Sequence, residues 1–363
     1  MIDLPHLTVS GSPRVMGQQQ GEHFKALITE FVDVRFNALA GYLSDRKTKD
    51  TGLFETGEAC MRIHESWDPD GITEHQGIAE GSGIDPVRLY IATNMTDIRD
   101  ILVLPATPDQ EGCSSVLLPG TLTTDAHPIA GQTWDLNPTD IDYVVASKRR
   151  PLKGLATWTV SCAGCLSLVG MNEKGLTVGT TNIKTTGSKP GIGYLGLLHR
   201  LLQERSARSA SHIVAQAPRS GAHVYWMADQ SDLFEFETTP NHFVIRDADS
   251  RAVCHTNHCI APAHQAIEGE IASDSSKARL SRLEQVLETG KHDVASIKEL
   301  FANRDDGLES INRYVEDDQG TATNSVFIGR PHQRIGFACR GPADRGQWYQ
   351  LDFETDSPTP VSI

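Results

Sequence analysis

Hydrophobic and polar positions change their spacing about a third of the way along this chain. Before the change, residues 17–43 carry apolar side chains at intervals of three and four, which indicates helix. A second helix is predicted over about 55–67, and the Asp85-Pro86 step supplies a cap and a first-turn proline for another. Residues 1 to about 105 are therefore predicted to be mostly helical. The polar, turn-rich segment 107–112 is predicted to be an exposed linker.

After the change, the apolar residues form short runs separated by turns, which is the pattern of β-strands. Strands are predicted at CSSVLLPG, IAGQTWDL, ATWTVSC, CLSLVGMN, GLTVGTTNI, HVYWMAD, LFEFETT, HFVIRD, AVCHTNH, TNSVFIGR, RIGFACR and GQWYQLDF. Helices are predicted over about 194–206 and 207–216, and at SSKARLSRLEQVLET and DVASIKELFAN. The third of these helices is predicted to bury one face made of Leu280, Leu283, Val286 and Leu287. Hairpins, then helices, then hairpins favour a layered α+β fold over a doubly wound sheet.

Composition places the chain among ordinary globular proteins. Its 363 residues are 39% hydrophobic and 22% charged, which excludes the fibrous and disordered classes. The formal net charge of -14, with no basic run longer than Lys148-Arg149-Arg150, disfavours nucleic acid as a partner. No stretch approaches the roughly 18 apolar residues that a membrane helix needs, and MIDLPHLTV lacks a basic signal segment. We therefore expect no membrane partner and a cytoplasmic location.

The most informative position is Cys113, which follows Gly112 where the helical segment meets the first predicted strand. A cysteine that opens a strand is more often a buried packing residue than a catalytic one. However, a thiol that follows glycine can attack the preceding carbonyl, because glycine tolerates the distorted backbone of an N-to-S acyl shift. Hydrolysis would free an α-amine on Cys113, with an ordinary pKa of roughly 7.7 to 8.0. One residue would then supply both nucleophile and base.

The segments GCSSVLLPG and IAGQTWDL resemble the pattern Gly-Cys-Thr-Ser/Thr…Gly-x-Asn-Trp-Asp of the isopenicillin-N acyltransferase family. This family, also called acyl-coenzyme A:6-aminopenicillanic acid acyltransferases, comprises self-cleaving cysteine N-terminal-nucleophile hydrolases. GSPRVMGQQQGEHF, GIAEGSGID, GMNEKGLTVGTTNI, HTNH and TNSVFIGRP are similar to further parts of it, so the resemblance covers most of the chain. It implies a four-layer αββα sandwich of the α+β class. The chain departs from the family at Thr133, where the family has asparagine, and in a longer hairpin between Cys113 and Asp135.

The resemblance also implies roles for individual residues around the first hairpin. Cys113 would be the nucleophile released by cleavage after Gly112, and Asp135 would hold and orient the new amine. Ser115 matches a position that assists self-cleavage. The cleavage would divide the chain into a mostly helical segment, 1–112, and a catalytic αββα segment, 113–363, which would stay associated. On its own, an aspartate at position 135 is as often a turn residue.

Four further residues complete the site that the resemblance implies. Asn257, in HTNH, would direct its amide NH2 at the oxyanion, and the backbone N–H of Asn182 would be the second donor. Trp134 and Arg340 are candidates for substrate binding. Without the resemblance, each asparagine is more often a hydrogen-bonding residue at the end of a strand.

These residues predict an enzyme that acts on a C–N bond through a thioester on Cys113. The expected activity is hydrolysis of a small N-acyl or β-alanyl amide, without a cofactor or a metal. An N-acyltransferase that uses acyl-coenzyme A as co-substrate is the alternative with the same nucleophile. The acidic chain has no glycine-rich phosphate loop, which favours the hydrolase, although basic residues within 148–153 could bind a coenzyme A phosphate.

A metal or thiol-redox protein is the alternative of another class, and a non-catalytic binding protein on the same fold is a third. Cys162 and Cys165 form a CxxC pair, but no helix start follows them as a thioredoxin-like motif requires. The CHTNHC segment contains His255 and Cys259 among its four possible zinc ligands. A strand points alternate side chains to opposite faces, so one zinc ion cannot collect all four. The seven cysteines, an odd number without framework spacing, favour reduced thiols over disulfides.

Overall fold

The computed structural model describes residues 1–44, 52–104 and 112–362. Most of the predicted linker, 107–111, lies outside these ranges. The described part of the N-terminal third is mostly helical, as its apolar spacing predicted. Its elements are β1 (His6–Gly11), α1 (Pro13–His23), α2 (Lys25–Ser44), α3 (Leu53–Trp67), α4 (Pro69–Ser82), α5 (Pro86–Thr93) and α6 (Met95–Val103).

Strands dominate the remainder of the chain. The first six are β2 (Gly112–Leu118), β3 (Ile129–Leu136), β4 (Val144–Pro151), β5 (Thr157–Cys162), β6 (Val169–Asn172) and β7 (Thr177–Asn182). After α7 (Tyr194–Leu201) and α8 (Ala207–Gln216) come β8 (His223–Ala228), β9 (Leu233–Thr238), β10 (Phe243–Asp247) and β11 (Val253–His255). The chain ends with α9 (Pro262–Gln265), α10 (Asp274–Leu287), α11 (Val294–Phe301), β12 (Ala322–Arg330), β13 (Ile335–Arg340), β14 (Trp348–Leu351) and β15 (Thr359–Val361).

The strands form two sheets that pack face to face. One has the order β1-β4-β5-β6-β7-β8-β9-β10 and the other β11-β2-β3-β12-β13-β14-β15. All neighbours are antiparallel except β1 and β4. Helices α10 and α11 cover the second sheet, and α7, α8 and the N-terminal helices cover the first. The predicted four-layer αββα fold is therefore confirmed.

The alternation along β2 shows how the layers are built. Val116 and Leu118 pack towards α10 and α11, whereas Cys113 and Leu117 belong to the core between the sheets. Because β2 and β3 are covered on both faces, all their residues are buried. The apolar stretches 116–118 and 129–130 pair with each other, and the polar residues of both strands lie nearer the Cys113 end. In the described ranges, no helix combines the length and the apolar character needed to cross a membrane.

Three local predictions were wrong. Strand β4 was missed because its sequence carries Lys148 and Arg149, which are nevertheless buried. The run CLSLVGMN enters a strand only at Val169, since the four residues before it form an irregular segment that follows a turn at 163–164. Val286 is 38% exposed, and the buried face of α10 contains Arg279 in addition to the predicted leucines.

Helices α1 and α4 pack against each other through glycines. A larger residue at any of these positions would clash with the backbone of the other helix. A Cβ atom on Gly17 of α1 would lie 2.1 Å from the carbonyl oxygen of Glu74, and one on Gly77 of α4 would lie 2.3 Å from that of Arg14. Gly21 and Gly81 make equally close approaches one turn further along. Four-residue spacing of glycines places the backbones of the two helices in direct contact.

We expect Gly17→Ala to lower the free energy of unfolding by roughly 1 to 3 kcal/mol, because the added methyl group overpacks the contact between α1 and α4. The matched control is Gly41→Ala in exposed α2, where no described atom lies within 4 Å of the new methyl group. That change should raise stability by roughly 0.5 to 1 kcal/mol through helix propensity. Urea unfolding measures both, and equal shifts in the two variants would contradict the packing argument.

Candidate active site

A small cavity lies at one end of the sandwich, where β2 and β8 begin and β3 and β7 end. Its volume, taken as the space open to the centre of a water molecule, is about 20 Å³, which is room for roughly one water. Five of the residues that the sequence singled out meet here: Cys113, Trp134, Asp135, Asn182 and Asn257. The remaining lining residues are Thr96, Leu136, Leu168, Thr180, Tyr194 and His223.

Asn257 links the candidate nucleophile to the neighbouring sheet. Its Oδ1 accepts a hydrogen bond from the backbone N–H of Cys113 at 2.7 Å, and its Nδ2 donates to the carbonyl oxygen of Asn182 at 2.9 Å. The Sγ atom of Cys113 lies 4.0 Å from the carbonyl oxygen of Asp135. Nδ2 carries a second hydrogen. Its role as an oxyanion donor therefore stays a prediction.

The direction of the Asn182 backbone N–H bears on its predicted role as an oxyanion donor. Its carbonyl is bonded to Asn257, so it points away from β8. In an antiparallel strand the N–H and C=O of one residue point to the same side. Two residues earlier, the N–H of Thr180 likewise points away from β8, because it donates to Oε1 of Gln132 at 2.7 Å. The N–H of Asn182 therefore also points away from β8.

Asp135 lies opposite Gly112 in the pairing of β2 with β3. Its carboxylate is buried, and Oδ2 accepts a bond from the Thr133 hydroxyl at 3.5 Å. Oδ1 has no hydrogen-bond partner among the residues that the structure describes. Burial raises the pKa of Asp135 to about 6, although the charges of Arg313 and Arg279 act in the opposite direction. The site therefore holds a carboxylate oxygen that could accept another donor.

The surroundings of Gly112 leave no room for a side chain. A Cβ atom at this position would lie 2.9 Å from Cζ and Nη1 of Arg313 and 3.0 Å from Oδ2 of Asp135. No real Cβ comes so close without displacing its neighbours. The residue before Cys113 must be glycine if the guanidinium group and the carboxylate are to keep their positions.

Arg279 is a site residue that the sequence analysis missed. Its guanidinium group donates to the carbonyl oxygen of Cys113, to Oγ of Ser114 at 3.0 Å and to Oδ1 of Asn257 at 2.9 Å. Burial, followed by the positive charge of Arg313, lowers the pKa of Arg279 to about 9. Arg279 thus fixes both the backbone of the nucleophile and the side chain that accepts its N–H.

A signal for Arg279 was present in the sequence. Arg279, Leu283 and Leu287 are spaced by four, so they share one face of α10, and all three are buried. A charged residue within an apolar helical stripe is expensive to bury unless it is paired. An arginine within an apolar helical stripe therefore predicts a buried partner for its charge.

Two polar anchors hold the segment that carries Asn257. Oγ of Ser276, near the N-terminus of α10, accepts the N–H of Asn257 at 2.8 Å, and the Thr256 hydroxyl donates to the carbonyl of Ser276 at 2.9 Å. On the other side, Nε2 of His255 lies 3.2 Å from Oε2 of Glu237. The position of Asn257 therefore depends on both α10 and β9.

The metal and thiol-redox alternatives find no geometric support. His255 is engaged by Glu237, and burial raises the pKa of Cys259 well above its usual value. Burial also raises the pKa of Cys165 to about 12 and that of Cys162 well above its usual value, which disfavours the reactive thiolates. Within residues 1–44, 52–104 and 112–362, no group of three or more His, Cys, Asp or Glu side chains is arranged to hold a metal ion.

Two predicted residues do not line the cavity. Ser115 is buried on β2, between Gln132 of β3 and His255 of β11 in register. Arg340 of β13 forms an ion pair with Asp142 at 3.0 Å. The substrate contact predicted for Arg340 is therefore not found in this cavity.

The departure from the expected motif at Thr133 is accommodated locally. The Thr133 hydroxyl accepts the N–H of Ser114 at 3.1 Å and donates to Asp135. It therefore connects β2 to the carboxylate that faces Gly112. A short hydroxyl in place of the expected amide still reaches both partners.

The family model of acyl-coenzyme A:6-aminopenicillanic acid acyl-transferase matches residues 122–336. The chain belongs to this family. The family resemblance drawn from the sequence is thereby confirmed, as is the prediction of an enzyme that acts on C–N bonds. No curated protein sequence matches the chain.

Two solved structures are distantly similar to the chain. A variant of conjugated bile acid hydrolase from Clostridium perfringens is 12% identical, with a TM-score of 0.47, over 69% of this chain and 97% of its own. Penicillin V acylase from Agrobacterium tumefaciens is 10% identical, with a TM-score of 0.42, over 67% of this chain and 86% of its own.

We expect Asp135→Asn to stabilise the fold while it impairs the site. At about pH 3 the carboxyl group is mostly protonated in both folded and unfolded states, so the burial of its charge costs little. Above the folded pKa of about 6 the full cost is present. A shift of about two pKa units corresponds to a gain on the order of 3 kcal/mol for Asp135→Asn at pH 8, which falls close to zero at about pH 3.

Urea unfolding at the two pH values, with Cys113→Ala present in both proteins to prevent cleavage, measures this difference. A lower stability of Asp135→Asn at pH 8 would contradict the prediction. It would mean that the attraction of Asp135 to Arg279 and Arg313 outweighs the burial of its charge.

Proposed function

We propose that this protein is a self-cleaving cysteine amidohydrolase that acts on a small N-acyl or β-alanyl amide through a thioester on Cys113. One observation carries the proposal. The nitrogen of Cys113, which would become the catalytic amine, is held by Oδ1 of Asn257 beside the carboxylate of Asp135. Strand β11 ends opposite Ser115, so the sheet supplies no acceptor for this N–H, and the asparagine supplies it close to Asp135, whose Oδ1 has no hydrogen-bond partner among the described residues.

Maturation would begin when Sγ of Cys113 attacks the carbonyl carbon of Gly112. The C–N bond breaks, a thioester forms, and the nitrogen of Cys113 takes the thiol proton to become an amine. Water then hydrolyses the thioester, which leaves a carboxylate on Gly112 and a free thiol on Cys113. The products are the segments 1–112 and 113–363.

The new amine would find acceptors already in place. Oδ1 of Asn257 and Oδ1 of Asp135 would take its two hydrogens, so that its lone pair remains for the thiol proton. The carboxylate of Asp135 would stabilise the ammonium form that results. Arg279 keeps Oδ1 of Asn257 in position during this change.

In turnover, the thiolate of Cys113 would attack the substrate carbonyl, and the developing oxyanion would receive the N–H of Asn182 and Nδ2 of Asn257. The ammonium group of Cys113 would protonate the leaving amine, and water would release the acid from the thioester. This sequence requires no cofactor.

The contacts of the basic residues within 148–153 favour hydrolysis over acyl transfer from coenzyme A. Lys148 is buried and donates to the carbonyl oxygen of Asp352, and Arg149 donates to Glu74 at 2.6 Å. Arg150 pairs with Asp356 at 3.0 Å. Engaged in this way, these three side chains do not form an open phosphate site. Acyl-coenzyme A remains the co-substrate under the alternative.

The two segments would remain associated after cleavage. Strand β1 pairs with β4 over six residues, from His6 with Ala146 to Gly11 with Pro151. The N-terminal helices also share apolar core with the first sheet. The cytoplasmic location remains a prediction from the sequence.

The purified protein should contain two fragments of about 12 and 27 kDa, in proportion to segment lengths of about 112 and 251 residues. They should elute together under native conditions because they share a core. Cys113→Ala should remain a single chain. Intact mass and N-terminal sequencing check this, and an active single chain without a new N-terminus at Cys113 would refute the mechanism.

The mature protein should convert amides to free acid and free amine. Water at ~55 M needs no binding site, whereas an acceptor amine must be held near the thioester to compete. Mass spectrometry of reactions with N-acyl and β-alanyl amides, and with acyl-coenzyme A with and without added amines, distinguishes the outcomes. Amide formation that outpaces hydrolysis at millimolar amine would establish the transferase instead, with the same nucleophile.

A further inference from the structure

His223 faces the cavity without a part in the reaction proposed above. It is the first residue of β8 and pairs with Asn182 in register. Its Nε2 lies 3.0 Å from Oδ1 of Asp97, and its side chain is 3% exposed. Nδ1 has no hydrogen-bond partner among the described residues. A buried ring nitrogen without a hydrogen-bond partner lowers the free energy of unfolding. A ligand that donates a hydrogen bond to it would offset that cost.

Asp97 determines what the unbonded nitrogen can do. Its Oδ2 accepts the N–H of Tyr194 at 2.9 Å, so both carboxylate oxygens are engaged. A carboxylate accepts hydrogen bonds, so Nε2 of His223 carries the proton that is shared with Oδ1. In the neutral ring, Nδ1 is therefore a hydrogen-bond acceptor.

Packing holds the ring in this orientation. The ring of Tyr194 stacks on that of His223 with centroids 4.8 Å apart and an interplanar angle of 28°. On the other side of the pair, a Cβ atom on Gly221 would lie 2.5 Å from Oδ1 of Asp97. The acceptor is thus preorganised, and the carboxylate behind it is a buried negative charge.

The charge of the cavity points to the group that this acceptor would bind. Neither lysine nor arginine is among the described residues that line it. Asp135 is assigned to the amine of Cys113, and among the described lining residues no cation remains for the Asp97–His223 pair. A hydrogen bond to a charged donor is stronger than one to a neutral donor, and low dielectric strengthens the attraction further.

We propose that His223, backed by Asp97, binds a protonated amine carried by the substrate close to the scissile carbonyl. This inference rests on the proposed amidohydrolase function and narrows its substrate class to amides that bear an ammonium group. The ammonium donates to Nδ1 of His223 and is attracted by the charge of Asp97. His223 is a positioning residue for substrate and takes no part in proton transfer.

The simpler alternative is a structural tie, since Asp97 joins α6, α7 and β8. His223→Gln separates the two roles. The Gln amide places a donor near the position of Nε2 and can keep the bond to Asp97, but it removes the acceptor at Nδ1. A structural role alone would leave substrate preference unchanged. The matched control is His212→Gln, which makes the same change at an exposed position of α8.

The experiment compares aryl amides that differ in one group: β-alanyl, with a terminal ammonium; butyryl, with a methyl in its place; and succinyl, with a carboxylate. A fourth substrate, an N-acyl ethylenediamine, carries the ammonium in the leaving part. Wild-type protein should favour an ammonium-bearing substrate over its neutral counterpart by at least roughly tenfold in kcat/KM. His223→Gln should lower kcat/KM for that substrate by roughly 10- to 100-fold, mainly through KM, and have a much smaller effect on the butyryl amide.

The substrate that His223→Gln impairs identifies the side of the scissile bond on which the ammonium binds, and either side supports the proposal. A wild-type protein that favours neither the β-alanyl amide nor the ethylenediamine amide over a neutral counterpart would overturn it, as would a preference for the succinyl amide or an equal effect of His223→Gln on every substrate. Those results would not contradict the proposed amidohydrolase function as long as hydrolysis depends on Cys113. Absence of hydrolysis of all four amides, with an uncleaved chain, would instead reject the proposed function.

Discussion

A buried group of three charges surrounds the junction between Gly112 and Cys113. The carboxylate of Asp135 and the guanidinium groups of Arg279 and Arg313 are all taken out of water there. Buried charges persist only where partners and hydrogen bonds offset their loss of hydration. This requirement fixes the residue before the nucleophile as glycine, places α10 against β2, and orients Asn257. The remainder of the site is arranged around these three charged groups.

Much of the fold could be predicted because its strands are buried on both faces. A strand covered on both sides must be apolar along its length, so runs such as 112–118 and 129–136 are recognisable without knowledge of their partners. Strand β4 could not be recognised in this way. Arg149 is tolerated inside it only because Glu74, on a helix far away in sequence, neutralises it. Pairings of that kind are properties of the tertiary structure.

The candidate site could likewise be predicted from the sequence only in part. Cys113, Asp135 and Asn257 belong to short local motifs, and these the sequence identified. Arg279 left a weak trace as a charge in an apolar stripe. His223 left none, since a histidine at the start of a strand is unremarkable, and Asp97 is 126 positions away. Its environment exists only once α6 and β8 are packed together.

The cavity draws its walls from both sides of the bond that would be cut. Thr96 lines it, and Asp97 stands behind His223, both within the segment before Cys113, whereas the nucleophile and its acceptors follow. The recognition pair is thus divided between the two segments, with Asp97 before the bond that would be cut and His223 after it. Variation confined to α6 can alter which molecules are admitted without touching the groups that break the bond.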